Sequence, residues 1–262
     1  MNVLLDPTAR PVIGHRGNSA HAPENTIESF AQAVAAGADA IEFDVHVSAD
    51  GIPVVFHDAR VTRTTDGTGE VARMTFAELR ELDAGARFTL DGGKTFPCKG
   101  MGHRIPSLDE VLEAFPSTPL LIEIKDPLAS VGALEALWSH NAGARCLLDS
   151  VQSGSLKLFA RAGIAVGASR RGVARLMAEV LTGRPASSIN YQALCVPTSY
   201  YGLPLPVRAF ARVAPPHDCR VHVWPINDPA VAADLWRAGV NGIVTNEPAL
   251  MLKTRKANFP AA

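Results

Sequence analysis

No run of about 18 apolar residues occurs in the 262-residue chain, so no transmembrane helix is expected. The opening residues, Met1 to Arg10, have no basic cluster and no sustained apolar stretch, so no signal peptide is expected either. Charge of one sign is also lacking. Lys and Arg number 25 against 26 Asp and Glu, a formal net charge of −1, which offers nothing to nucleic acid or to a membrane surface. The four cysteines, Cys98, Cys146, Cys195 and Cys219, form no CxxC and no zinc-like spacing. Reduced, mostly structural thiols in a cytoplasmic protein are the expectation. Internal repeats and low-complexity tracts are absent. No GxGxxG follows the first strand, which disfavours an open dinucleotide-binding sheet.

What is present is a regular alternation of short apolar strands and amphipathic helices, in a chain that is 47% hydrophobic. Residues 12–15 read as a buried strand. Asn25, with Glu28 three residues on, reads as the cap of a helix carrying Ile27, Phe30, Ala31, Val34 and Ala35, which Gly37 stops. A strand over 40–47 follows, completing a right-handed βαβ unit with parallel strands. Asp50-Gly51 predicts a hairpin turn that returns 52–57 antiparallel. Residues 48–104 then break the rhythm with threonines, glycines and one short helix over 75–83. That stretch is too long for an ordinary connection and reads as a small insertion after strand two.

The alternation resumes with helices over 108–115, 130–140, 156–162, 172–181, 206–213 and 229–238. Strands fall at 119–125, 145–149, 164–169, 189–196, 220–224 and 242–245. With the first two, this makes eight parallel-type strands. The chain is therefore expected to fold as one α/β domain over 1–262, a (β/α)₈ TIM barrel, with 48–104 as an inserted subdomain.

Such barrels keep their active sites at the C-terminal strand ends, so the polar residues there are informative. Glu42 and Asp44 share one face of strand two, and Glu123 and Lys125 share one face of strand three. Two carboxylates on one buried wall repel unless one is protonated or a cation lies between them. A lone acidic residue at a strand end is more often an ion-pair partner than a ligand; three on neighbouring inward faces reverse that balance. Three carboxylates without thiolates suit a hard cation, Mg²⁺ or Ca²⁺. His15 ends strand one and His57 returns on the hairpin. Either alone reads as a hydrogen-bonded structural residue, and as a pair beside a metal they read as general acid and base. Arg16 and Lys125 either balance the carboxylates or bind phosphate.

Taken in order, His15-Arg16-Gly17, Pro23-Glu24-Asn25-Thr26, Glu42-x-Asp44, Val54-Val55-Phe56-His57-Asp58 and Glu123-Ile124-Lys125 resemble the glycerophosphodiester phosphodiesterase family. The resemblance implies a TIM barrel with a small insertion after strand two. It also implies metal ligation by Glu42, Asp44 and Glu123, acid–base roles for His15 and His57, and phosphate contacts from Arg16 and Lys125. Trp224 resembles the family's aromatic residue beside the substrate glycerol, with a core tryptophan as the plain alternative. The implied reaction is metal-dependent hydrolysis of a small-molecule glycerophosphodiester to glycerol 3-phosphate and an alcohol, with no nucleic-acid partner and no stable membrane anchoring. Alternatives are a lysophospholipase D-type phosphodiesterase and a barrel that binds such diesters without cleaving them. Two departures from the family's pattern are Ser153-Gly154 after strand four and Thr245-Asn246 at the last strand. Both are expected to lie at the rim, away from the histidines and the metal. Arg170, Arg171, Tyr200, Tyr201 and Asn227 are further rim residues that could tune selectivity.

Overall fold

The computed structural model describes residues 2–150, 152, 154–183 and 189–260. Strand β1 (Val12–His15) leads through α1 (Ile27–Ala35) to β2 (Ala40–Val47), and β3 (Pro53–Val55) folds back antiparallel on β2. After α2 (Phe76–Glu81) and α3 (Leu108–Ala114) come β4 (Leu120–Ile124), α4 (Ala129–Ser139), β5 (Cys146–Asp149), α5 (Leu156–Arg161) and β6 (Ala165–Val166). Then follow α6 (Arg170–Thr182), β7 (Ala193–Pro197), and a hairpin of β8 (Ser199–Tyr200) and β9 (Leu203–Pro204). The chain ends with α7 (Val207–Val213), β10 (Arg220–Trp224), α8 (Pro229–Arg237), β11 (Gly242–Thr245) and α9 (Pro248–Asn258).

Eight parallel strands stand side by side in the order β6-β5-β4-β2-β1-β11-β10-β7. A parallel bridge between Gly167 and Ala193 joins the two ends, with the Ala168 N–H donating to the Ala193 carbonyl at 2.9 Å. This is the expected (β/α)₈ barrel, nearly closed. Alternation along β2 sends Ile41, Phe43 and Val45 outward, into a core with Phe30, Ala33, Leu108 and Val111. Phe30 is fully buried, its ring 5.4 Å from that of Phe43 and 6.1 Å from that of Phe115. Truncating it to Ala would cost about 3–5 kcal/mol. Ala40 turns inward instead, to meet Ile13, Leu121, Leu147 and Val244. Leu4, from the segment before β1, is fully buried in this same cluster, and its carbonyl lies 2.9 Å from His222 Nε2. One end of the barrel is thereby packed with apolar side chains, which leaves the C-terminal strand ends for polar ones.

Several details differ from the sequence reading. Thr26, not Asn25, caps α1 by accepting from the Ser29 N–H; Asn25 sits at φ 58° with its side chain turned toward β2. The buried face of α1 is Ser29, Phe30 and Ala33, so Ala31, Val34 and Ala35 face outward despite their helical spacing. The hairpin β8–β9 and helix α9 were not expected. Only Pro248 and Met251 of α9 are buried, so its apolar stripe is faint, and Pro at its start was its clearest signal. It is held by edges: Arg255 pairs with Asp39, and Phe259 packs edge-on against Trp236 at 6.1 Å. Between β2 and α3, Val54, Phe56, Val61, Val71, Leu79 and Ile105 make a small separate cluster. Among the described residues, no helix is long and apolar enough to cross a membrane.

Candidate active site

The turn after β1 is built by close approach. A Cβ on Gly17, which adopts φ 91°, would lie 2.3 Å from Ser29 Oγ and 2.6 Å from the Ser29 carbonyl carbon, so only glycine fits. Arg16 beside it is also left-handed, at φ 52°, and a non-glycine residue held there marks a constrained site. The strained turn aims the Arg16 N–H at Glu42 Oε2, 2.9 Å away. Its guanidinium donates to Glu24 at 2.8 Å and brings Nε to 3.4 Å from Asp44 Oδ2.

The carboxylates come together by register. Parallel pairing sets His15 beside Glu42, Asp44 beside Glu123, and Glu123 beside Asp149. Oxygens of Glu42, Asp44 and Glu123 lie within 4.8 Å of one another. Glu42 is 6% exposed and Asp44 1%, which excludes the wet strand face that the alternation alone would allow. Burial, and then Asp44, push the Glu42 carboxyl well above the usual carboxylate range. Burial also works against the Asp44 anion, but Lys125 and Arg16 outweigh it and hold that carboxyl below its ordinary value. Lys125 Nζ bridges Asp44 Oδ1 at 3.0 Å and Glu123 Oε2 at 2.8 Å. The three acids are hard oxygen donors clustered tightly enough for one small divalent cation, so the group fits such an ion by donor chemistry and by spacing.

The two histidines have different backing. His15 Nδ1 lies 2.7 Å from the amide oxygen of Asn246, which also accepts from Ser19 at 3.0 Å. An amide oxygen only accepts, so the ring proton sits on Nδ1 and Nε2 is left with its lone pair, 3.9 Å from Glu42. Burial, then the charge of Arg16, press the His15 ring down to about 4, against the Asn246 hydrogen bond. The expectation that Asn246 stands apart from the histidines is therefore wrong. Its contact spans 231 residues of sequence, across the β1–β11 seam, and was invisible to local reading. Ser153, the other departure, lies outside the described residues.

His57 is delivered by the β2–β3 hairpin, where the Phe56 N–H donates to the Asp44 carbonyl at 3.0 Å. Its Nδ1 lies 2.5 Å from Asp58 Oδ1. Arg63 grips the other Asp58 oxygen at 2.6 Å and both oxygens of Glu24, at 2.9 and 2.6 Å. Although burial disfavours its charge, Asp58 is held down at about 2 by Arg63 and His57. An unbroken chain of charges thus runs Asp58, Arg63, Glu24, Arg16, Asp44. The sequence reading missed Arg63 and left Asn25 a helix cap. In the fold the Asn25 amide donates to Asp44 Oδ2 at 3.0 Å.

His15, Arg16, Glu42, Asp44, His57, Glu123, Lys125 and Trp224, all singled out in the sequence, line one cavity of about 50 Å³. Asp149 lines it too and was not expected. Burial, and then Glu123, raise its carboxyl to about 8, and its Oδ1 has no hydrogen-bond partner. Of the rim residues, Arg170 and Tyr200 border a neighbouring apolar space, and Asn227 holds the Asn246 N–H at 2.9 Å. Chemically, the arrangement pairs a buried anion cluster able to hold a cation with two fixed positive side chains and two imidazoles of unlike backing.

Residues 15–250 match the model of the glycerophosphoryl diester phosphodiesterase family. A glycerophosphodiester phosphodiesterase of Bacillus subtilis is 30% identical over 268 residues, covering 97% of this chain and 89% of that protein. Among solved structures, an Oleispira antarctica phosphodiesterase in complex with the product sn-glycerol-3-phosphate is 28% identical, with a TM-score of 0.73, covering 93% and 96% of the two chains. The glycerophosphoryl diester phosphodiesterase domain of a Mycobacterium tuberculosis protein shares the fold at a TM-score of 0.82, with 22% identity and coverage of 95% and 99%.

Proposed function

The chain belongs to the glycerophosphoryl diester phosphodiesterase family and is a phosphoric diester hydrolase; we propose that it releases glycerol 3-phosphate from glycerophosphodiesters by metal-dependent, two-histidine catalysis. One observation carries this reading: Glu42, Asp44 and Glu123 meet within 4.8 Å, in a cavity whose wall also holds His15 and His57. Those three carboxylates would hold one divalent cation, Mg²⁺ or Ca²⁺, which when bound supplies Lewis-acid stabilisation of phosphoryl charge.

The chain's own residues do the rest. Arg16 and Lys125, held in place by the carboxylates, offset the charge that develops on the phosphoryl oxygens. One imidazole removes a proton from the nucleophile and the other returns one to the departing alkoxide. The nucleophile is the substrate's own glycerol 2-hydroxyl, whose tethering beside phosphorus favours a cyclic phosphate that water then opens. Trp224, half-buried at the end of β10, offers its ring face to the glycerol carbons. The 48–104 segment is an inserted subdomain that carries His57, Asp58 and Arg63 to the mouth and covers it. Four free cysteines, three of them buried, fit a reducing, cytoplasmic setting.

The test is glycerol 3-phosphate release from a panel of glycerophosphodiesters with Mg²⁺, with Ca²⁺ and with EDTA, alongside Glu42→Gln. We expect turnover with at least one metal and none in EDTA. Absence of metal-dependent release from every diester would overturn the proposal, and full activity in Glu42→Gln would overturn the ligand assignment. A cyclic phosphate accumulating early supports the intramolecular route; its absence under single-turnover conditions points to direct attack by water.

A further inference from the structure

Asp149 lines the catalytic cavity and has no part in the chemistry described above. The other acids there each have a firm donor: Glu42 accepts from the Arg16 N–H, Asp44 from Asn25 and Lys125, and Glu123 from Lys125. Asp149 stands beside Glu123 in the β4–β5 register, yet among the described residues no side chain hydrogen-bonds its carboxyl. The adjoining Ser150 N–H is the backbone group that reaches it, and Lys125 is already divided between Asp44 and Glu123. Nor does Asp149 belong to the three acids that meet within 4.8 Å, so it stands outside the group that suits a cation.

Packing fixes how this carboxyl is presented. A Cβ on Gly167, the residue after β6, would lie 2.4 Å from Asp149 Oδ1, so bare backbone closes over that oxygen and seals it from solvent without a partner. The residue as a whole is only partly buried, so what stays accessible faces the cavity it lines. The strand order divides that cavity into two arcs. Strands β1, β2 and β4 carry the histidines' ionic partners, while β5, β7, β10 and β11 carry Asp149, Cys195, Trp224 and Val244. A phosphoryl group belongs on the first arc, with Arg16 and Lys125, because a further anion beside Glu123 and Asp149 would be repelled. The second arc offers apolar contact and one carboxyl that lacks a strong partner, a cost that a bound ligand can remove. A hydroxyl both donates and accepts, so it satisfies that carboxyl in either protonation state; a trimethylammonium has no N–H to give.

We propose that Asp149 is a specificity-determining residue that hydrogen-bonds the terminal hydroxyl of the substrate's glycerol, so that diesters lacking this hydroxyl are turned over poorly. This rests on the proposed function, in which the glycerol carbons lie on the Trp224 ring and the 2-hydroxyl is occupied at phosphorus, leaving the terminal hydroxyl to reach the second arc. Asp149 makes and breaks no bond: it holds the hydroxyl, and the histidines move the protons.

The experiment compares kcat/KM for glycerophosphocholine with that for 2-hydroxypropyl phosphocholine, which lacks only the terminal hydroxyl and keeps the one beside the reacting bond. Wild type should favour the glycerol substrate by about ten- to a hundredfold. Asp149→Ala should bring that ratio to within about threefold of unity, and Asp149→Asn, whose amide also donates and accepts, should keep most of it. Asp149→Leu, which keeps the volume, reads the same ratio where the alanine variant does not fold. Calorimetric titration with Mg²⁺ and with Ca²⁺ should give the same affinities in wild type and variants. Equal turnover of the two diesters by wild type overturns the inference and leaves the proposed function standing. So does a ratio that neither Asp149→Ala nor Asp149→Leu alters, or a cation affinity that falls with the carboxyl, which would make Asp149 a ligand of the ion. Failure to cleave any diester would instead bring down the phosphodiesterase reading on which the inference rests.

Discussion

On the β1–β4 side of the barrel mouth charged groups hold one another: Arg16 by Glu24 and Asp44, Lys125 by Asp44 and Glu123, Asp58 by Arg63. On the β6–β7 side the walls are Val173, Met177, Val196 and Leu205, and the space between them is open. The contrast is between fixed charge and apolar wall. Cutting a phosphodiester needs charges fixed before the substrate arrives, because reorganising them during the reaction would cost the rate they supply. Apolar walls, by contrast, tolerate changes in volume far better than ion networks tolerate a missing partner.

The comparison breaks first at the histidines. His57→Ala and His15→Ala should each lower kcat by about 10²–10⁴, read from glycerol 3-phosphate release at saturating metal. Loss of less than tenfold in both would mean that the ionic side does not perform the chemistry. A smaller effect is expected at Arg63, which touches none of the cavity carboxylates but holds Asp58 and Glu24 in place. Arg63→Ala should cost on the order of 10² in kcat/KM by misplacing His57 and Arg16, with Arg63→Lys restoring part of it. Equal loss in both variants would indicate unfolding of the segment, which circular dichroism would detect.

Asn246→Asp sharpens the difference between the two imidazoles. A carboxylate behind His15 favours its charged form, so the limb of the pH–rate profile that belongs to His15 should move to higher pH by about one unit or more. A profile that does not move would dissociate His15 from the titration. The last effect is on stability and not on rate, at Asp149, whose carboxyl is raised to about 8 by burial and Glu123. Folded chain holds that proton, whereas unfolded chain releases it above about pH 4. Its contribution to stability is therefore fully present below about pH 4 and lost as pH rises to 8. In metal-free protein, Asp149→Asn should gain on wild type by roughly 1.4 kcal/mol per pH unit across that window, at most; thermal melts from pH 5 to 8 that differ by a constant amount would contradict this.

The two sides also differed in how far the sequence disclosed them. On the ionic side the information is local: Glu42 and Asp44 are two residues apart on one strand, and Asp50-Gly51 returns His57 to the same place within a few residues. Strand periodicity and one turn rule suffice for that. What stayed hidden there depends on contacts between distant segments. Asn246 reaches His15 across the seam of the ring, and Arg63 reaches Glu24 across 39 residues. Asn25 was misread for a further reason, since Asn is a good cap in its own right and the neighbouring Thr26 took that role. On the apolar side nothing distinguishes Val173 or Met177 from ordinary core residues, because a chamber is defined by what fails to fill it. Helix α9 escaped notice because edge contacts, not an apolar stripe, hold it.

In the function proposed above, a cation seated among Glu42, Asp44 and Glu123 is what makes the ionic side catalytic. Calorimetric titration of Mg²⁺ and of Ca²⁺ into metal-stripped protein, with diester turnover measured on the same samples, tests it most directly. One site per chain is expected, with turnover rising in step with its occupancy and both lost in Glu42→Gln. Full turnover in metal-stripped protein, or metal binding that Glu42→Gln leaves intact, would contradict it.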